Sequence, residues 1–152
     1  MTASSEECAR EILEVVPMIM WAIRNQMRSH RTADLTVVQF RTLAFLGRNK
    51  GASLSDLAGH IGIARPSASK LVDGLVSRLL VSRKGSPVDR RRIRLTLTPK
   101  GLSSLQTARA AAQADLAARM AALRSGEQAT VGRAMRTLRS LFAAGAAVRT
   151  GG

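Results

Sequence analysis

The 152-residue sequence has no tyrosine, one tryptophan and three phenylalanines, so aromatic residues make up only 3% of it. Proteins that hold single-stranded nucleic acids or RNA loops usually stack the bases on aromatic side chains. The scarcity of aromatic residues therefore disfavours these ligands. If the chain binds nucleic acid, a duplex is the favoured form.

Cysteine and long apolar runs are scarce as well. The single Cys8 cannot form an internal disulfide, and the acidic start of the chain does not resemble a secretory signal, which together predict a cytoplasmic location. The longest unbroken apolar run, residues 15–23, is nine residues long and contains Pro17. It is too short to span a bilayer, so no membrane partner is expected.

The residue sets that carry catalysis or hold metals are missing. We find no glycine-rich phosphate loop, no HExxH motif and no nucleophile beside a usable base. His30 and His60 are well separated and lack the spacing of metal ligands. The sequence therefore predicts neither an enzyme nor a cofactor or metal site.

The chain carries an excess of positive charge. It carries 24 Lys and Arg residues against 10 Asp and Glu residues, a net charge of +14. Residues 1–34 have a net charge of −1, residues 35–98 of +9 and residues 99–152 of +6. Such an excess indicates a polyanionic partner, and the middle segment is the predicted anion-binding face.

Apolar residues at spacings of three and four predict helices along most of the chain. The first carries a stripe from Ile12 to Met27, with Pro17 inside it as an expected bend. The next three are predicted from a capping box at 36–39 to about Arg48, from a Ser53 cap to Gly62, and from Arg65 to Leu79. Two more follow, one of about 25 residues from Pro99 and one capped by residues 125–128.

Between the fourth and fifth helices the period changes to two. Ile93, Leu95 and Leu97 alternate with polar residues, which predicts a strand that pairs with residues 80–84 in a hairpin. The predicted fold is therefore mainly α with a small β-wing. A winged helix-turn-helix domain at 35–98 lies between dimerisation helices at 1–34 and 99–147, and 148–152 is a disordered tail.

The fourth helix is the predicted recognition helix. Burial of its apolar residues turns Arg65, Ser67, Lys70, Gly74 and Ser77 outward. The major groove of B-DNA admits one helix, and the first residues of a recognition helix reach the base edges.

In this segment the sequence resembles the MarR (multiple antibiotic resistance regulator) family of winged-helix transcription factors. The strongest match, residues 89–98 followed by Gly101, fits the family's wing pattern D-x-R-x-x-x-L-x-L-T. The remaining matches lie at 35–36, 39–40, 55–58, 61, 63, 70–73 and 75.

The resemblance implies a homodimeric regulator, most simply a repressor, that binds an inverted-repeat operator. Candidate DNA contacts on the recognition helix are Arg65, Pro66, Ser67, Ser69, Lys70 and Gly74. In the wing they are Asp89, Arg90, Arg91, Arg92 and Arg94. By the resemblance Asp89 orients Arg91 into the minor groove, whereas an ordinary turn pair is the alternative. The other three arginines are expected to contact phosphates.

Four positions depart from the family pattern. Leu79 stands where relatives place glycine, so the helix either turns without glycine or runs one residue further. Ala64 replaces a polar cap, and Pro66 replaces a small polar residue. Because Pro66 and Gly74 have no hydrogen-bonding side chain, altered base preference is expected.

Three further interpretations remain open. Met20, Trp21, Arg24 and Met27 are candidates for an effector pocket, or simply pack in a helical interface. Cys8 invites comparison with peroxide sensors of this family, but the chain has no tyrosine to support it, and neighbouring acids oppose a reactive thiolate. The rival function is a sequence-neutral architectural or RNA-associated protein.

Overall fold

The computed structural model describes residues 2–29, 34–85 and 93–147. Within these ranges the elements are α1 (Ser5–Ser29), α2 (Val37–Arg48), α3 (Leu54–Ile61), α4 (Arg65–Ser77), β1 (Val81–Lys84), β2 (Arg94–Leu97), α5 (Pro99–Met120) and α6 (Ser125–Ala147). The chain divides into two compact units, Met1–Gln113 and Ala114–Gly152. The predicted fold class, mainly helical with a two-stranded wing, is confirmed.

Side chains cap α2 and α3 as the sequence predicts. The Thr36 hydroxyl accepts from the Gln39 N–H at 3.2 Å, and the Gln39 amide oxygen accepts from the Thr36 N–H at 3.0 Å. Ser53 and Asp56 form the same reciprocal pair at the start of α3. Gly62, with φ of 81°, ends α3 in the left-handed conformation that glycine adopts without strain.

The core of the first unit lies among α2, α3, α4 and the sheet. Its fully buried large side chains come from all of these elements: Leu43, Leu46, Leu57, Val72, Leu75, Leu80, Val81 and Leu95. Burial of a leucine or valine contributes about 1.5–3 kcal/mol, so these contacts are the main force that holds the helices together.

The two strands are antiparallel and pair Val81 with Leu97 and Lys84 with Arg94. The predicted alternation is confirmed in β2, where Leu95 is buried and Arg94 is exposed. Leu95 also pairs with Ala52, its N–H donating to the Ala52 carbonyl at 2.9 Å. This bridge ties the wing to the α2–α3 connection, and the sequence pattern did not predict it.

Helix α4 ends at Ser77, two residues before the predicted end at Leu79. Leu79 takes a φ of 61°, the left-handed region in which a side chain is strained. The Leu79 N–H donates to the Val76 carbonyl and the Leu80 N–H donates to the Leu75 carbonyl, both at 2.9 Å. This is a Schellman cap, and of the two expected alternatives the chain adopts the turn without glycine.

Helix α5 begins directly against the end of this cap. Gly101 lies so close to the Leu80 carbonyl that a Cβ atom would stand 2.0 Å from the oxygen. Thr98 fixes the approach, because its hydroxyl donates to the Leu79 carbonyl and accepts from the Gly101 N–H. Only glycine fits at position 101.

Helix α1 runs without interruption from Ser5 to Ser29 and includes Pro17. Its buried residues, Ala22 and Gln26, lie in its second half. No residue of the predicted apolar stripe is fully buried: Ile12, Met20, Ile23 and Met27 are half-buried, and Val16 and Ile19 are exposed. Leu13, beside the stripe, is 76% exposed.

In the second unit, α5 ends at Met120 and α6 begins at Ser125. Of the predicted capping residues 125–128, Ser125 is already the first helical residue and does not occupy the capping position. Instead, the Glu127 carboxylate accepts from the Arg124 N–H at 2.9 Å. None of residues 125–143 is fully buried, and Leu141 and Phe142 are 66% and 63% exposed. The predicted tail at 148–152 lies outside the described residues.

No helix in the described ranges has the length and apolar character that crossing a membrane requires. Nor do these ranges bring three potential metal-ligating side chains together.

Candidate nucleic-acid interface

Helix α4 has two distinct faces. Ala68, Val72 and Leu75 have no exposed surface and fix the helix on the core. On the opposite side lie the predicted groove-facing residues Arg65, Pro66, Ser67, Lys70, Gly74 and Ser77, all exposed, while Ser69 is half-buried. The structure thus brings the recognition-helix candidates together on one solvent-facing surface.

The first turn of α4 is open toward solvent. Ala64 occupies the capping position and offers no side-chain acceptor, and Pro66 has no N–H. The N–H groups of Arg65 and Ser67 therefore remain available at the positive end of the helix dipole. Such a terminus attracts phosphate, and the neighbouring Arg65 side chain adds a full positive charge.

The described part of the wing lies beside this surface, because Arg83 of β1 contacts Asp73 of α4. Lys84 and Arg94 are paired across the two strands, and both are exposed. The other wing candidates, Asp89, Arg90, Arg91 and Arg92, lie outside the described residues. Of the predicted wing contacts, only Arg94 is therefore located.

Positive charge on the winged segment is largely uncompensated. Among the described parts of residues 35–98, only Arg78 and Arg83 contact a carboxylate. The seven remaining basic side chains described there have no partner among the described carboxylates: Arg41, Arg48, Lys50, Arg65, Lys70, Lys84 and Arg94. The surface is suited to a polyanion.

His60 lies at the end of α3 and stacks on Phe45, with ring centroids 4.5 Å apart. Partial burial lowers the pKa of His60, and the positive charges of Arg41 and Arg48 lower it further. The imidazole is therefore held neutral to a lower pH than a free histidine.

One ion pair joins the recognition helix to the wing. The Arg83 guanidinium of β1 contacts the Asp73 carboxylate of α4. Sequence reasoning assigned neither residue a role. An Asp and an Arg ten positions apart carry no local signal, and only the turn between α4 and β1 makes them neighbours.

A cleft of about 570 Å³ lies in the first unit between the end of α1 and the start of α2. Its lining residues are Arg24, Met27, Arg28, Asp34, Leu35, Thr36, Val37 and Val38. Of the four predicted pocket residues, Arg24 and Met27 line it, whereas Met20 and Trp21 do not. Trp21 is 62% exposed.

The cleft is connected to the end of the recognition helix. Arg78, the residue that follows α4, lies 3.9 Å from the Asp34 carboxylate and donates to the Gln39 amide oxygen at 3.5 Å. Gln39 in turn belongs to the capping box with Thr36. Two residues of the cleft wall are thus linked to α4 through one arginine.

The MarR family model matches residues 33–92, the segment that contains α2, α3, α4 and β1. A protein of Thauera aromatica, described as a transcriptional regulatory protein for the hcr operon, is 36% identical over 74 residues. That match covers 49% of this chain and 45% of the relative, so the chain spans less than half of the relative's length.

Solved structures share the fold over nearly the whole chain. Rv1404 of Mycobacterium tuberculosis matches with a TM-score of 0.76 at 20% identity, covering 94% of this chain and 97% of its own. Apo MarR of E. coli matches with a TM-score of 0.71 at 18% identity, covering 91% and 98%. Rv2887 of M. tuberculosis, solved in complex with salicylic acid, matches with a TM-score of 0.64 at 22% identity, covering 90% and 97%.

At these identities the structures establish the fold alone. The family model matches residues 33–92, the segment that carries α4 and β1. Within this segment the sequence is similar to the MarR family of winged-helix proteins.

Proposed function

We propose that this protein is a MarR-type transcriptional regulator that acts as a repressor and binds inverted-repeat double-stranded DNA as a homodimer. The observation that carries the proposal is the two-sided α4 helix. Its inner face is fully buried, whereas its outer face and open first turn present basic and small residues.

The outer face of α4 suits the major groove. Arg65, Ser67 and Lys70 supply hydrogen-bond donors within the first two turns, where recognition helices reach base edges. Pro66 and Gly74 add no side-chain donor. Base discrimination is therefore concentrated on few contacts, and apolar contact with thymine methyl groups is the role left to Pro66.

The wing supplies the second contact. Arg91, oriented by Asp89, enters the minor groove, and Arg90, Arg92 and Arg94 contact phosphates. Two variants separate these roles. Arg91→Ala should weaken operator binding by about 1–3 kcal/mol and reduce discrimination at A·T positions, whereas Arg94→Ala should weaken binding to all sequences alike. Equal operator affinity of Arg91→Ala and wild type would exclude the wing assignment.

Association of two copies is supported by apolar surface on the terminal helices. In α1, Leu13 and Met18 are 76% and 67% exposed, and in α6, Leu141 and Phe142 are exposed to a similar extent. A symmetric dimer covers such surfaces and matches a palindromic site. Removal of residues 1–33 should give a monomeric or aggregating protein that binds DNA poorly, as measured by sedimentation.

The decisive experiment compares one specific duplex with a scrambled one across a range of salt concentrations. A regulator should bind its own site at least about 10³-fold more tightly than random DNA at physiological salt. The promoter region beside the gene is the first source of candidate sites. Equal affinity for both duplexes would favour the sequence-neutral architectural protein instead.

The cleft supports a second proposal, release of DNA by a small aromatic or anionic effector. Arg24 and Arg28 offer carboxylate partners, and Met27, Leu35 and Val38 offer an apolar lining. The salicylic acid complex of Rv2887 is consistent with this class of ligand. Because the cleft wall is linked to α4 through Arg78, a bound ligand can favour one position of the recognition helix over another.

Calorimetric titration with salicylate tests this proposal. Arg24→Ala should abolish binding, and the matched control Trp21→Phe should leave it unchanged because Trp21 does not line the cleft. Saturating salicylate should also lower the operator affinity of the wild type. An operator affinity unaffected at millimolar salicylate would exclude this class of effector.

A further inference from the structure

Helix α4 contains one acidic residue, Asp73, on a surface that otherwise offers basic and small side chains. Asp73 is three residues after Lys70 and seven after Pro66, so it shares their stripe of the helix. Its side chain is 59% exposed. A bare carboxylate at this place would repel the phosphates of a bound duplex.

The Arg83 guanidinium neutralises that carboxylate. Arg83 lies on β1, where it pairs across the sheet with the buried Leu95, and its side chain is 39% exposed. Cross-strand partners project from the same face of a sheet, so Arg83 lies on the face of β1 that carries Val81, two residues further from the α4–β1 turn. Next to the turn, the same two elements are joined by the buried residues Leu75, Leu80 and Val81.

The helix and the wing are thus held at two points at different distances from the α4–β1 turn. Apolar packing near the turn is not directional, so this packing and the Ala52–Leu95 bridge still allow the far end of the wing to tilt relative to α4. A charge-assisted hydrogen bond further along β1 opposes that tilt.

Building on the proposed function, we infer that the Asp73–Arg83 pair is a positioning device that holds the recognition helix and the wing at the spacing of adjacent major and minor grooves. Neither residue needs to touch DNA for this role. Loss of the pair uncouples the recognition helix from the wing, which otherwise bind the major and the minor groove at the same time. The result is weaker and less specific operator binding in a protein that remains folded.

Full-length Asp73→Ala, Arg83→Ala and the double variant test the inference. Each single variant should lose about tenfold in operator affinity, and the double variant should lose no more than either, because both changes break the same contact. The melting temperature should change by less than about 3 °C, since exposed ion pairs contribute little to stability. Additive losses would overturn the inference.

A second cycle distinguishes positioning from direct phosphate contact. In the Asp73→Ala background, Arg91→Ala should cost much less affinity than in the wild type, because the wing is no longer placed in its groove. Lys70→Ala, on the same stripe of α4, is the control whose effect should combine additively with Arg91→Ala. If Asp73→Ala tightens binding while Arg83→Ala weakens it, Arg83 is a phosphate contact and the inference is wrong.

A measurement without DNA separates failure of this inference from failure of the proposed function. In a Cys8→Ser background, spin labels at Ser67→Cys and Lys84→Cys report the distance between helix and wing by pulsed electron resonance. The distance distribution should broaden when Asp73→Ala is added. An unchanged distribution overturns the positioning role even if the protein binds its operator, whereas absence of specific binding by the wild type overturns the proposed function.

Discussion

The same types of apolar residue are buried in the winged segment and exposed in the last helix. In the winged segment, Leu43, Leu46, Leu57 and Leu75 have no exposed surface. In α6, Leu141 is 66% exposed, and none of residues 125–143 is fully buried. The winged segment thus closes a core together with Leu105 and Ala108 of α5, whereas the apolar residues of α6 have no comparable cover among the described residues. The stability of the winged segment should be independent of protein concentration, whereas the stability of α6 should increase with it.

The largest effect is expected where α5 begins against the winged segment, from Gly101→Ala. The new Cβ would stand 2.0 Å from the Leu80 carbonyl oxygen, and backbone on both sides must move. We expect a loss of about 3 kcal/mol in the free energy of unfolding, measured by urea denaturation. Gly59→Ala is the control, because its Cβ meets nothing within 4 Å, and alanine should stabilise α3. Equal stabilities of the two variants would contradict the close contact.

A pair of leucines tests the comparison itself. Leu57→Ala removes a fully buried side chain and should cost about 3 kcal/mol at every protein concentration. Leu141→Ala should cost less than about 0.5 kcal/mol at concentrations where the chain is monomeric. At higher concentrations its cost should grow, because association covers the side chain. A cost independent of concentration for both variants would remove the distinction between the two regions.

A smaller effect of opposite sign is expected at the end of the recognition helix. Leu79 is 66% exposed, so Leu79→Gly loses little burial and relieves a left-handed side chain. We expect a gain of about 1 kcal/mol, seen as a higher urea midpoint. Ser77→Gly, two residues earlier in helical backbone, should instead destabilise the protein. If both glycine substitutions destabilise the protein, the backbone at Leu79 is not strained.

The smallest effects distinguish the two regions by pH. The lowered pKa of His60 means that its contribution to stability is present above the unfolded value of 6.5 and is lost as pH falls below it. Hydrogen bonds from Arg124 lower the pKa of Glu127, so its contribution is lost only as pH falls below 4.5. In the His60→Gln variant, the melting temperature should therefore depend less on pH just below pH 6.5. Glu127→Gln should change the profile only in the acid range.

Local signals explain which parts of the fold the sequence could predict. The capping box at Thr36, the glycine turn at Gly62 and the alternation in β2 each depend on residues within four positions, and all three are confirmed. The predicted end of α4 is two residues late because Leu79 lacks the glycine that marks such a cap. Within the predicted cap at 125–128, Glu127 rather than Ser125 makes the capping contact, because its carboxylate accepts from the Arg124 N–H just before α6.

The parts of the site that could not be predicted depend on distant residues. The Ala52–Leu95 bridge and the Asp73–Arg83 pair arise only when the turn and the sheet have formed. The cleft combines the end of α1 with the start of α2, so Arg24 and Met27 could be proposed from their helix, whereas the Asp34–Val38 wall could not. Exposed positions on α4 were predicted correctly because helical periodicity alone determines them.

Thr98 fixes the base of the wing, so the length of the loop at the other end of the hairpin can vary. Its hydroxyl closes the hairpin at the root by joining the Leu79 carbonyl to the Gly101 N–H, and the Thr98 N–H donates to the Leu80 carbonyl. The chain between Lys84 and Arg94 can therefore lengthen or shorten without moving the recognition helix, because doubling a loop costs only about 0.6 kcal/mol. Under the proposed function, insertions there are a route by which this fold can acquire new minor-groove preferences while the helix proposed to read the major groove stays in place.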